Sequence, residues 1–325
     1  MNEIEHKNRV VNRSELVFIY DIKDANPNGD PMDENKPRID EETGINIVTD
    51  VRLKRTIRDY LHNFRKQAIF IKEETKEEGI QKTREERLKE LKKDGKQLLR
   101  DYIDLRLFGA TIAVKDMRMT WIGPVQFRFG RSLHKVEPKT IKGTTVMPAE
   151  EKKEKKAGTF TETQILPYSL ICFYGIINEN AAETTNLSEE DIDLLLDGIW
   201  NGTKNLITRS KVGQIPRFLL RVVYKEKNYH IGDLEKKIKL VKLDSSKDDK
   251  AIRDISEIKL DVREMINTLK ENKDRIEKIE YEVNSDVVFL VNGEDVKGAQ
   301  IEDKLKIDGI PVERLGLETV KPKEK

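Results

Sequence analysis

Three stretches of this chain have the composition of strands buried on both faces. They are SELVFIYDI (Ser14–Ile22), QILPYSLICFYGII (Gln164–Ile177) and FLLRVVY (Phe218–Tyr224), all rich in apolar, β-branched and aromatic residues. Between them lie two helical patterns. TDVRLKRTIRDYLHNF predicts a helix capped by Thr49 or Asp50, with Leu53, Ile57, Tyr60, Leu61 and Phe64 on one face. LSEEDIDLLLDGIWNGTKNLIT opens on a capping-box-like pair, Ser188 and Asp191, and buries Ile192, Leu195, Leu196, Ile199 and Leu206. MRMTWIGPVQFRF alternates with period two on both sides of Gly123-Pro124. It predicts strand segments around a bend, where Pro124 excludes a fully paired central strand.

The order is strand, helix, insertion, strand, arm, strand, helix, strand. Without the insertions this approaches β-α-β-β-α-β, an α+β fold of the ferredoxin-like kind that RNA-recognition modules (RRM) use. The palm of such a fold takes residues 13–64, 102–135 and 165–230. Residues 65–101 form a very polar helical insertion, and 136–164 a protruding hairpin arm around a Lys/Glu run. Residues 231–325 are a Lys/Glu-rich extension, with a helix at 259–273 and a late strand DVVFLV, partly returning to the palm. Residues 1–12 read as a loose tail.

A length of 325 residues allows a sizeable core. The single cysteine, Cys172, excludes an internal disulfide framework and a cysteine-rich zinc site; in its apolar run it predicts an inert buried thiol. The N-terminus lacks the apolar core of a signal peptide, and no run approaches the ~18 apolar residues a membrane span needs. A soluble, cytoplasmic protein with no membrane partner is expected.

DANPNGDPMDEN (Asp24–Asn35) resembles a calcium loop in its oxygens at Asp24, Asn26, Asn28 and Asp30 and in Gly29. It fails at position twelve, which is Asn35 instead of Glu, and in its flanks: a strand precedes it, and Pro27 and Pro31 interrupt it. A rigid Asx/Pro/Gly turn is the better reading. The four histidines, His6, His62, His134 and His230, make no metal-binding pair, and no phosphate-binding glycine loop or nucleophile elbow occurs. No cofactor, metal or catalytic residue is expected.

Net charge is +1, but its distribution is polar. From Val51 to Lys72 the bases Arg52, Lys54, Arg55, Arg58, Arg65, Lys66 and Lys72 face one acid, Asp59. Lys54, Arg58 and Arg65 form a stripe beside the apolar helix face, where a phosphate backbone can lie. A second cluster holds Arg128, Arg131 and His134 in VQFRFGRSLHK, where Phe127 and Phe129 alternate with Arg128. A third holds Lys204, Arg209, Lys211, Arg217 and Arg221. The segment Glu179–Asp197 carries seven acids and no base. Two complementary surfaces are expected, one for nucleic acid and one for another copy of the chain.

RSELVFIYDIKDANPNGDP, TGINIVTDVRLKRTIRDYL, GPVQFRFGRSLHKVEP and ILPYSLICFYGIIN together resemble the repeating backbone subunit of CRISPR Cascade complexes. This is the Cas seven family, with closest likeness to its Csh-type, type I-B branch. The likeness spans most of residues 13–225. It implies a hand-shaped subunit: an RRM-like palm, a helical fingers insertion at 65–101 and a thumb hairpin at 136–164. Copies would stack head to tail along a CRISPR guide RNA, hold its backbone and leave it open to target DNA, beside the small, large and 5'-handle-binding subunits.

The resemblance carries Lys54 and Arg58 onto the family's backbone-gripping helix and Arg128, Arg131 and His134 onto its palm motif; the charge pattern adds Arg52, Arg55 and Arg65 as candidate RNA contacts. Arg209, Lys211 and Arg217 join them, as do Asn28 and Gly29, whose turn offers backbone N–H groups. Val146 and Met147 are the candidate thumb wedge. The family's type I members are not catalytic. The alternative is a metal-dependent ribonuclease of the same fold, using an aspartate such as Asp30, Asp33 or Asp50.

Overall fold

The computed structural model describes residues 8–74, 82–91, 93–114, 117–144 and 160–317. The chain begins with β1 (Ser14–Ala25), three short strands β2 (Gly29–Asp30), β3 (Lys36–Pro37) and β4 (Ile39–Asp40), then β5 (Ile45–Val48) and helix α1 (Asp50–Asn63). Helices α2 (Arg84–Leu91), α3 (Gly95–Asp101) and α4 (Ile103–Phe108) lead into a hairpin, β6 (Gly109–Val114) and β7 (Met117–Ile122). Strands β8 (Val125–Phe127), β9 (Gly130–Lys135), β10 (Lys139–Thr144) and the long β11 (Phe160–Ile177) follow. Helices α5 (Glu179–Thr185) and α6 (Glu189–Lys204) then precede β12 (Ile215–Tyr224). The remainder holds β13 (Lys239–Lys242), β14 (Ile258–Asp261), α7 (Arg263–Glu271), β15 (Ile276–Val283), β16 (Val288–Val291), β17 (Glu294–Lys297), α8 (Ile301–Leu305) and β18 (Val312–Arg314).

The main sheet runs β18-β15-β12-β1-β11-β9-β5-β4, with β8 and β10 also paired to β11. β1 is its centre, antiparallel to β11 on one side and β12 on the other. Leu16, Phe18, Tyr20 and Ile22 pack with Leu53, Ile57 and Leu61 of α1 and with Ile192, Leu195 and Trp200 of α6. Val17 and Ile19 face the other way, into a core closed by Leu260, Met265, Leu269 and Phe289. Burial on both faces explains why β1 reads as an unbroken apolar run. Cys172 is fully buried, and burial pushes its thiol pKa far up.

The expected strands and the two long helices are present, and Ser188 and Asp191 form a full capping box. Four expectations need correction. The tail is not loose throughout: Val10 is buried and its N–H donates to Leu187 O at 2.9 Å. The hairpin β6–β7 is a separate two-stranded sheet, not part of the main sheet. Its alternating Ile112, Met119 and Trp121 pack on Phe70, Leu88, Leu98 and Tyr102 of the insertion. The helix expected at 259–273 begins only at Arg263, because Ile258 and Leu260 alternate inward as strand β14.

Finally, the C-terminal segment is more than an extension. β15 and β18 widen the main sheet, and the rest covers one whole face of it. No helix among the described residues is long and apolar enough to cross a membrane.

Candidate nucleic-acid interface

The Asp24–Asn35 stretch closes on itself. Asp30 Oδ1 accepts the Met32 N–H at 3.0 Å, Asp30 Oδ2 meets Arg38 Nη1 at 2.6 Å, and Asn26 Nδ2 donates to Asn35 O at 2.7 Å. Gly29 lies so close to Asn35 that a Cβ there would sit 2.0 Å from its Oδ1. Asp33 pairs with Lys36 at 2.7 Å and Asp50 with Lys54 at 3.0 Å. Among the described residues no three His, Cys, Asp or Glu side chains converge to hold a metal.

Asn28 acts as a positioning residue. Its Oδ1 accepts from both the N–H and the hydroxyl of Thr49 at 2.9 Å, and Thr49 Oγ1 accepts from the Arg52 N–H at 3.3 Å. The loop thereby fixes the N-cap of α1 and the direction in which that helix leaves β5.

Ion pairing sorts the cations of α1. Arg58 is 9% exposed, donates from Nε to Asp104 Oδ2 at 3.1 Å and lies over the Phe108 ring at 5.0 Å. It is mostly buried, yet it also lines the cleft between α1 and the insertion. Arg65 is held by Asp197 and lies over Tyr60. Arg55 spans Asp59 at 2.8 Å and Glu73 at 3.0 Å. Lys54 bridges Asp50 and Gln126, each at 3.0 Å.

Arg52 differs. Its Nη2 donates to Thr56 Oγ1 at 3.1 Å, its buried Nε has no hydrogen-bond partner, and no carboxylate among the described residues pairs with it. Lys211, from the loop before β12, comes close enough that the Arg52 charge lowers its pKa, after the larger effect of burial. Lys211 Nζ donates only to neutral groups, Asn26 O at 3.2 Å and Ser210 Oγ at 3.3 Å. Burial likewise lowers the Arg52 pKa; Arg55 adds to this while Asp59 opposes it. Neither of these half-buried cations is paired with a carboxylate among the described residues. Arg52 also lines an open cleft of about 420 Å³ between α1 and the insertion, with Arg55, Arg58, Lys72 and Lys82; Glu73 and Glu74 line it too, paired with Arg55 and Lys72. Lys82 stands in a mixed Lys/Glu run, where no local pattern marks it for this position.

The palm-motif and loop residues divide in the same way. His134 is 3% exposed: its Nε2 accepts the Leu170 N–H at 3.3 Å, and Nδ1 donates to the carbonyls of Lys135 and Asp249. Arg217 is 8% exposed and bound to Asp21 at 2.9 Å. Both are structural, a correction to the expected contact set. Arg128 lies over Tyr174 and pairs with Asp233 and Glu235. Arg131 stays exposed, 3.5 Å from Asp40, and exposed Arg209 reaches Thr163 at the base of the arm. Val146 and Met147 lie outside the described residues.

The family model described as "CRISPR-associated protein Cas7" matches residues 12–263. The chain belongs to the Cas7 family. A protein of that name from Haloferax volcanii is 34% identical over 300 residues, covering 83% of this chain and 86% of that one. Two solved chains are also similar to this Cas7 family member, from structures titled "CRISPR RNA-guided surveillance complex, pre-nicking" and "CRISPR RNA-guided surveillance complex". They have TM-scores of 0.49 and 0.49 at 11% and 12% identity. They cover 83% and 90% of this chain and 92% and 98% of their own.

Proposed function

We propose that this chain is the crRNA-binding backbone subunit of a Cascade complex. Copies of it stack head to tail along the guide RNA, grip its phosphates and leave its bases free to pair with target DNA. The observation that carries this is Arg52, which lines the cleft beside α1 with no carboxylate paired to it among the described residues; Lys211, whose Nζ meets only neutral oxygens, lies near enough to feel its charge. Arg131 and Arg209 extend the positive surface. Membership of the Cas7 family supports the assembly.

The finer reading is an RRM-like palm. The order β12-β1-β11 with β8 and β9 beyond, and α1 and α6 on one face, is what a β-α-β-β-α-β unit requires. The insertion then acts as fingers, the arm around β10 and the start of β11 as a thumb, and the branch is type I-B. The subunit is read as non-catalytic: Asp30, Asp33 and Asp50, the aspartates available for metal-dependent cleavage, are each engaged by a cation.

The test is binding of mixed-sequence single-stranded RNA across a salt series. Changing both Arg52→Glu and Lys211→Glu should weaken binding for every sequence alike. It should also make the slope of log K against log salt shallower by about 1.4, at about 0.7 per lost phosphate contact. An unchanged slope would place the RNA elsewhere.

A further inference from the structure

A β-bulge separates β8 from β9. Phe127 pairs with Gly175, and Arg131 pairs with Cys172, so the segment from 127 to 131 has one residue more than the β11 segment opposite. Arg128 N–H still bonds Tyr174 O at 2.9 Å, so the extra residue falls at Phe129–Gly130, both facing the single residue Phe173. Gly130 is what allows this: a Cβ there would lie 2.4 Å from the Phe173 ring. With Gly130 pressed against Phe173, the bulge turns Phe129 out, and 52% of it is exposed.

An exposed phenylalanine costs solubility, and this one has no compensating ring contact. Of the two exposed phenylalanines among the described residues, Phe64 stacks on Tyr60 with centroids 5.1 Å apart. Phe129 has no aromatic or cationic partner among them. Its position has a second feature. Gly130 pairs with Val48, and the next residue after Val48 is Thr49, the N-cap of α1. In that antiparallel register Phe129 falls opposite Thr49, where α1 begins, with exposed Arg131 two residues on.

We propose that Phe129 is a stacking platform for one base of the bound RNA. This rests on the RNA-holding reading above and adds a contact of different chemistry to it. The flat ring meets a base face, which all four bases share, so the contact adds affinity without selecting sequence. Phosphates held at Arg52 and Lys211 would bring the adjoining nucleotide within reach of the bulge.

The experiment compares Phe129→Ala and Phe129→Trp with the unaltered full chain, on single-stranded RNA and on an abasic oligonucleotide of equal length. Phe129→Ala should bind RNA about five- to a hundred-fold more weakly. It should bind the abasic strand as the unaltered chain does, and keep the salt slope. Phe129→Trp should retain RNA affinity. Equal losses on both strands, or no loss on either, overturn the stacking role. An unaltered chain that binds neither strand overturns the RNA-holding reading itself. Melting temperatures of all three proteins exclude unfolding as the cause.

Discussion

Arg58 and Asp104 tie α1 to α4 inside the protein. Asp104, fully buried, accepts Arg58 Nε at 3.1 Å, the Phe70 N–H at 2.7 Å and the Ile71 N–H at 2.9 Å. One carboxylate on α4 thus holds both α1 and the segment that carries Lys72. Asp104→Ala leaves a buried guanidinium and two backbone donors without their acceptor. A loss of about 3–5 kcal/mol is expected, read by chemical denaturation. Because Arg58 is mostly buried, the loss should persist in high salt.

Arg58→Ala should resemble Asp104→Ala in stability more than it resembles Arg52→Ala in RNA binding. Purified Arg58→Ala that remains folded is expected to keep the salt slope of the unaltered chain. Arg52→Ala should make the slope shallower by about 0.7, the share of one phosphate contact. The comparison is made by RNA titration at several ionic strengths.

His134 gives the fold an acid-sensitive point. Burial lowers its pKa below the ordinary value of about 6.5, outweighing the carbonyls of Lys135 and Asp249 that favour the proton. The folded state therefore binds fewer protons than the unfolded state below that value. Its contribution to stability is complete above pH ~6.5 and is lost as pH falls from there toward the lower folded-state pKa. Denaturation at pH 7.5 and 5.5 should show a decline that His134→Gln reduces.

Gly130→Ala should destabilise the chain by about 1–3 kcal/mol, because a methyl group must displace the Phe173 ring. Phe129→Ala, one residue away and half exposed, should leave the melting temperature nearly unchanged. Thermal unfolding of the two variants side by side checks the bulge assignment.

Millimolar calcium should not raise the melting temperature. Asp30 is committed to Arg38 and the Met32 N–H, and Asn28 to Thr49. A rise that grows with calcium concentration would restore a metal site in that loop.

The centre of the main sheet and helices α1 and α6 are readable from sequence because they bury continuous or periodic apolar faces. β15 is not, since IEKIEYEV looks like a solvated segment. Its Glu280 and Glu282 are buried nonetheless, and Arg221, Lys278 and Arg314 from other positions neutralise them. The same limit governs the site. A cluster of arginines in sequence does not reveal which acid each will meet, and Arg58 finds Asp104 only after the insertion has folded. Asn28 stands out in the sequence as an RNA-contact candidate, but its support of the α1 cap does not. Its partner Thr49 lies across a loop whose closure no local pattern encodes.

The covered face of the main sheet has one more consequence. Tyr168, Leu170, Phe218 and Leu220 lie on it beneath Leu260, Met265 and Phe289. The C-terminal segment therefore takes the aromatic side chains of this face out of a ligand's reach, and its removal should bare them as one apolar patch.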